Sequence, residues 1–517
     1  MASSPAASGA MPGASDPIDR ETWLVAGVVM IGAVMSILDT TIINVAIDRL
    51  ASDFNSSITT IQWVVTGYTL ALASVIPITG WASDRFGTKR IYLWSLVLFM
   101  AGSILSGLAW SAESLIFFRV LQGIGGGMIM PAVMTIMTKK AGPHRMGRVM
   151  GALGVPMLIA PIVGPVLGGW LVDDVSWRWI FYINVPIGIV GFFGALRVLE
   201  TDAPQATHKL DWLGLLLLSP GLTVMIFGLA ESSSDGFGAT KSWAPIVVGA
   251  VLVAAFLRHS WTATDPLIDI RTFVGTRAGA AAGVFLLFSI SFFGALLLVP
   301  LYYQSVRGES ALGSGLLLIP QGVGAMITMP IAGRLTDRMG PNRLAAFGIP
   351  LLVIGMSPFA FVDADTSLTL LASFGFVLGL GMGFSMMPTM TAAMQSVPPQ
   401  AIARTSTAMN IIRQSGASIG TAIVSVVLAS NIKDELGSRA GGGGGFEAVH
   451  GLSGAQRDAV AEPLASAFGG TFVWALVLLA LAFLPALAMA LMKTKPAPAG
   501  PGGPGGERVP PPVVLAE

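Results

Sequence analysis

Three ionisable side chains lie well inside apolar stretches of this sequence: Asp39, Arg119 and Arg413. A charge in a membrane-length apolar run costs a few kcal/mol, so each is a functional candidate by default. Asp39 sits in Leu38-Asp39-Thr40-Thr41-Ile42-Ile43-Asn44 and is the single deep acid among 28 acidic residues. Withdrawal from water favours its neutral form, which suits it to gain and lose a proton. Arg119 lies at a similar depth below the end of its own run, and its guanidinium stays cationic when buried, so it is the matching counter-ion. Structural alternatives stand beside both readings: a permanently ionised Asp39 held for stability, and an Arg119 that snorkels to the interface. Arg413, with Asn410 and Gln414 beside it, places a polar cluster on one helical face, as a water-filled cavity or a polar helix contact would require.

The elements that must position these groups follow from composition. The chain has 517 residues, 53% of them hydrophobic and 11% charged, with a mean hydropathy of +0.75. That is too apolar for a soluble chain of this length. Fourteen apolar runs of about 18 to 25 residues read as membrane helices, which makes an all-α polytopic membrane protein. Twenty of the 29 Lys and Arg residues flank the spans on the side of the N-terminus and seven on the other. The positive-inside rule then puts both termini in the cytoplasm. The sequence has no Cys, and its four His are scattered, so thiolate and His-cluster metal sites are not expected. Basic residues lie between apolar runs rather than on one face, which argues against nucleic acid.

An internal repeat sharpens the architecture. Gly80-Trp81-Ala82-Ser83-Asp84-Arg85-Phe86-Gly87, after the second span, returns 253 residues later as Gly333-Arg334-Leu335-Thr336-Asp337-Arg338-Met339-Gly340, after the tenth. Two six-span halves with two spans inserted between them are the expected organisation, and repeated halves with a central site are a transporter design. The expected boundaries are a disordered tail 1–20, an N-terminal bundle 21–200, inserted helices 201–265, a C-terminal bundle 266–494 with a long outside loop 431–467, and a disordered tail 495–517. The two repeated motifs read as loops whose Asp84 and Asp337 latch one half against the other, helped by Gly80, Arg85, Gly87 and Arg338. In the fifth span, Gly154, Gly164, Pro165, Gly168 and Gly169 describe a helix that can approach a neighbour closely and bend.

Taken together these motifs resemble the major facilitator superfamily, and within it the fourteen-span drug:proton antiporters of the EmrB/QacA type. The run Leu38 to Ala46 resembles that family's first-helix signature, Gly80 to Arg90 its motif A, Arg119-Val120-Leu121-Gln122-Gly123 its motif B, Gly154 to Gly169 its antiporter motif C, and Trp177 to Gly188 the segment entering its sixth helix. The resemblance runs from about residue 23 to 492. It implies export of drug-like compounds in exchange for protons, with Asp39 and Arg119 in the coupling site, Asp84 as the latch and Gly164-Pro165 marking exchange rather than symport. Ala82 and Thr88 in the first motif copy and Pro341 and Asn342 after the second depart from the pattern, which bears on the latch and not on the fold.

A pocket between the halves should be apolar and adaptable. Its candidates are Asn44, Trp63, Tyr68, Gln122, Phe288, Phe292, Tyr302, Arg413 and the Met386, Met390, Met394 stripe. Cargo is expected to be hydrophobic or monocationic. Some family members carry further acids in the second half, linked to dicationic drugs, and none is found here. The expected setting is a monomer in the bacterial cytoplasmic membrane, without cofactor or metal, driven by the proton gradient, with a small drug-like molecule, protons and the bilayer as its partners. The alternatives are export of a lipid or self-made antibiotic and, from another class, a polytopic membrane enzyme. The last needs a converging nucleophile, base or metal set, which one deep Asp does not offer. An ATP-driven pump is opposed by the missing G-K-[ST], since no Lys follows a Gly.

Overall fold

The computed structural model describes residues 18–202, 209–436 and 454–492. Among them are fourteen helices long and apolar enough to cross a membrane. They are α1 (Arg20–Ala46), α2 (Thr60–Phe86), α3 (Thr88–Gly107), α4 (Ala112–Gly142), α5 (Arg145–Val175), α6 (Trp179–Val198) and α7 (Trp212–Ser232), then α8 (Thr240–Thr262), α9 (Arg277–Ser305), α10 (Gly313–Met339), α11 (Pro341–Phe361), α12 (Leu368–Gln395), α13 (Pro399–Leu436) and α14 (Val460–Leu491). Each needs a start signal, because its first N–H groups have no intrahelical partner. For seven of them Asp19, Ser57, Ser111, Asp211, Thr276, Ser310 and Ser367 supply it, each side chain accepting from a backbone N–H of the first turn.

Helix pairing repeats between the halves. In the first, α1 packs on α5 and α6, and α4 on α2 and α3; in the second, α9 packs on α13 and α14, and α12 on α10 and α11. The inserted α7 and α8 pair with each other, and α7 also lies against α2 of one half and α13 of the other. Leu218 and Leu222 of α7 share a core with Ala408 of α13 and with Leu267 and Ile268, which follow α8. Asp211 fastens this insertion. It caps α7 through Gly214 N, accepts from Leu267 N at 3.0 Å, and lies 2.8 Å from His259 Nε2 on α8.

Three expectations need correction. The repeated motifs are the last turns of α2 and α10 rather than loops. Only Gly87 and Gly340 leave the helix, at φ of 90° and 87°, where a side chain would be strained, so each pair of helices turns on a single glycine. The expected outside loop 431–467 is largely helical, since one helix runs to Leu436 and another spans Gly454–Leu481; residues 437–453 lie outside the described residues. The first tail is fixed by residue 19, where Asp19 caps α1 and pairs with Arg145 at 2.7 Å. Burial acts to raise the Asp19 carboxyl, but hydrogen bonds from Thr22 and Arg145 outweigh it and hold it at about 2. The rest of that tail and residues 493–517 lie outside the described residues.

Candidate functional site

α1 carries Asp39 to the centre of the N-terminal bundle, where its carboxylate receives donors from two other helices. Arg119 Nη1 of α4 donates to Oδ2 at 2.6 Å, while Gln122 Nε2 of α4 and Asn184 Nδ2 of α6 each donate to Oδ1 at 2.9 Å. Arg119 and Gln122 are three residues apart on one helix face and are themselves joined, Nη1 to Oε1, at 2.8 Å. The guanidinium lies 4.2 Å from the Tyr68 ring centroid and 5.6 Å from that of Phe181, and its Nε donates to Val64 O at 3.3 Å. Arg119, Gln122 and Asn184 are fully buried and Asp39 is 3% exposed. A buried ion pair repays its desolvation only when its remaining donors and acceptors are also paired. This one is nearly so: Arg119 Nη2 and Asn184 Oδ1 are the buried atoms of the cluster without a protein partner among the described residues.

Just beyond Asp39 the α-helical part of α1 gives way to a 3₁₀ turn over Ile43–Ala46, a change often found at hinges. α5 presses against it there. A Cβ on Gly164 would fall 2.0 Å from Thr41 Oγ1, and one on Gly168 would meet Ile42 at 3.2 Å. Gly154 faces Met329 of the other half, Gly169 makes an ordinary contact with Val45, and the side chain of Pro165 lies outside the described set.

At the end of the molecule bearing Asp19 and Met492, the halves are locked by the two motif copies. Asp337 accepts from Gly147 N at 2.9 Å, Arg148 N at 3.3 Å and Arg148 Nε at 2.9 Å. Asp84 faces Arg404 Nε at 3.5 Å. Close backbone approach supports both locks: a Cβ on Gly147 would lie 2.6 Å from Gly333 O, and one on Gly80 would lie 2.9 Å from Thr407 Oγ1. Behind them, Met134, Met137, Met146 and Met150 of the first half and Met387, Met390, Met394 and Met409 of the second share one buried core. Arg85 and Arg338 are exposed and lie outside the Asp337 contact.

The structure therefore unites Asp39, Arg119, Gln122 and Tyr68, and scatters several other candidates. Asn44 is exposed and donates to Thr40 O of its own helix. Trp63 is 38% exposed and stacks on Phe227 of the inserted α7 at 5.7 Å, so it packs the insertion rather than the site. Tyr302 is fully buried in the C-terminal core, its hydroxyl donating to Asp363 O, because a tyrosine inside a helix bundle needs one polar partner and finds it in the α11–α12 connection. Phe288 and Phe292 form a parallel stack at 5.3 Å. Met386 is half-buried between two cores, while Met390 and Met394 belong to the seal between the halves. Arg413 on α13 pairs with no acid among the described residues, and its Nε is buried without an acceptor. Sequence reasoning missed Asn184. Its signal was a lone amide in the apolar run after Trp177-Arg178-Trp179.

A model of the Major Facilitator Superfamily matches residues 29–421. The sequence is 44% identical to a multidrug resistance protein B homolog of Mycobacterium tuberculosis over 80% of this chain and 77% of that one. It is 32% identical to the multidrug export protein EmrB of Haemophilus influenzae over 75% of this chain and 77% of that one. The fold matches that of the proton:xylose symporter XylE with a TM-score of 0.56, at 15% identity, covering 88% and 94% of the two chains. With paired six-helix halves, a two-helix insertion and a match over most of its length, the chain belongs to the major facilitator superfamily.

Proposed function

We propose that the protein exports hydrophobic, drug-like compounds across the bacterial cytoplasmic membrane in exchange for protons, as a monomer without a cofactor and with both termini in the cytoplasm. The observation that carries the reading is the convergence of Arg119, Gln122 and Asn184 on the one deep carboxylate. Multidrug resistance and export are what the two relatives are named for. In this reading the locked end is the cytoplasmic one, and Asp39 is reached from outside. A proton arriving at Asp39 removes the charge on which three donors converge. Arg119 then loses its ion pair, the hold of α4 and α6 on α1 weakens, and the 3₁₀ turn just after the Gly164 contact is free to rearrange. The emptied, protonated site then returns inward; the proton leaves on the cytoplasmic side once the Asp337 and Asp84 locks have opened, and cargo takes its place for the outward step.

Proteoliposomes carrying the purified protein test this. Asp39→Asn keeps the shape of the side chain but cannot cycle a proton, so drug-dependent proton flux is expected to vanish while drug counterflow persists. Full coupling in that variant would sink the assignment.

A further inference from the structure

The charges of the membrane interior do not balance, and the imbalance names a substrate class. Among the described residues of the spanning helices, every acid other than Asp39 lies within two residues of a span end. Asp39 is fully engaged by Arg119, Gln122 and Asn184. That leaves Arg413, fourteen residues into α13, as an uncompensated cation. Arg cannot shed its proton under these conditions, so the charge needs an anion or water from elsewhere.

The face of α13 that carries Arg413 meets the other half before that residue and α9 of its own half after it, where a Cβ on Gly420 would lie 2.1 Å from Ile290 O. Seven residues earlier on that face, Ser406 Oγ donates to Pro131 O of α4 at 3.2 Å. One turn earlier, Met409 is buried among Met134, Met137, Met390 and Met394, and Ile412 packs on the same core. Asn410 spends its amide on Ser406 O of its own helix, so it does not answer the guanidinium. A cation one turn along α13 from a methionine-rich core drawn from both halves suits a molecule with one negative group and a polarisable apolar body.

We propose that Arg413 anchors the anionic group of lipophilic monoanionic substrates, so that the transporter prefers an amphiphilic carboxylate to its uncharged or cationic counterpart. This deepens the export function proposed above and rests on it; it also reverses the charge preference expected from the sequence. The carboxylate would take the place at the guanidinium that no acid of the protein fills, while its apolar body lies along the methionine-rich surface between the halves. Asp39 and Arg119 remain a neutral pair and leave the selection to Arg413.

The test uses full-length protein in nanodiscs with 1-pyrenebutyrate and its uncharged methyl ester as probes. Wild type is expected to bind the carboxylate at least tenfold more tightly than the ester. Arg413→Gln should bring the two to parity by weakening the carboxylate alone, and Arg413→Lys should keep part of the preference. Parity or absent carboxylate binding in wild type overturns the proposal, as does a preference that survives in Arg413→Gln. Should Arg413→Gln not fold, wild type and Arg413→Lys still decide, since a wild-type preference undiminished in Arg413→Lys would place the selection at another group and overturn the proposal. Proton-driven extrusion of the ester from vesicles is measured separately. Its failure would count against the export reading while a carboxylate preference still supported the anion site, whereas extrusion without that preference sinks the anion site alone.

Discussion

The same eight-residue pattern ends α2 and α10, yet its two carboxylates meet different partners. Asp337 takes two backbone N–H groups and the Nε of Arg148, all from the first turn of α5. Backbone donors there lack partners from a preceding turn, and the helix dipole favours an anion, so one carboxylate satisfies several needs at once. Gly147 makes it geometrically feasible by letting Gly333 come to backbone contact. Asp84 stands at the equivalent start of α13, where a 3₁₀ turn over Pro399–Ala401 leads into the helix, and its ion pair with Arg404 is longer, 3.5 Å against 2.9 Å. Arg404 also donates to Pro266 O, in the connection that follows α8. The shorter of the two ion pairs thus belongs to the second copy, which also grips backbone donors of a helix start.

The helices that follow the two motifs differ in a complementary way. After Gly87, Thr88 has an N–H to satisfy, and Asp202 accepts it at 3.1 Å while also binding Lys139 at 3.1 Å. After Gly340 the first residue is Pro341, which has no N–H to cap. Two of the four departures noted in the sequence, Thr88 and Pro341, are therefore two solutions to one helix start.

The asymmetry can be broken in graded steps, read as the distance distribution between spin labels on the exposed Arg90 and Arg343 positions. Gly147→Val should act most strongly. Its side chain would occupy the place of Gly333 O, which costs about 3 kcal/mol and shifts the closed-to-open ratio more than a hundredfold. Asp337→Asn removes a buried charge from three donors and should cost about 2 kcal/mol, roughly thirtyfold. Asp84→Asn should cost about 1 kcal/mol, roughly fivefold; an effect equal to that of Asp337→Asn would erase the difference between the copies. Asp202→Ala is expected to leave the label distances alone and lower thermal stability by about 1 kcal/mol, the worth of a helix cap. Burial acts to raise the Asp202 carboxyl, but hydrogen bonds from Thr88 and the charge of Lys139 prevail and hold it below its ordinary 3.8. Its contribution is therefore complete above that value and fades as pH falls through the carboxylate range, so the wild-type advantage should be flat around neutrality and lost in acid.

Much of this was legible in the sequence, for identifiable reasons. Length and hydropathy fix the fourteen spans because a bilayer imposes a minimum helix length. Depth along a helix is also readable, at about 1.5 Å per residue, which is why Asp39 and Arg119 could be paired from eighty residues apart. Rotation about the helix axis is not readable in the same way. Trp63 and Tyr68 are both aromatic residues of α2, and only packing sends one to Phe227 and the other to Arg119. Asn184 escaped notice because a neutral amide carries no cost large enough to stand out, and its role exists only once α6 has folded against α1. The motifs looked like loops because glycine and charge commonly mark turns, whereas here a single glycine makes the turn and the charges ride on helices.

The placement of α7 carries a consequence for traffic sideways through the bilayer. The two halves meet along two seams related by the internal repeat, α2 with α13 and α5 with α10. α7 lies across the first, joined to α2 by the Trp63–Phe227 stack and to α13 through Ala408. A greasy molecule dissolved in the membrane therefore meets an added wall on that flank, and the two sides of the transporter, equivalent by ancestry, present different doors to the lipid.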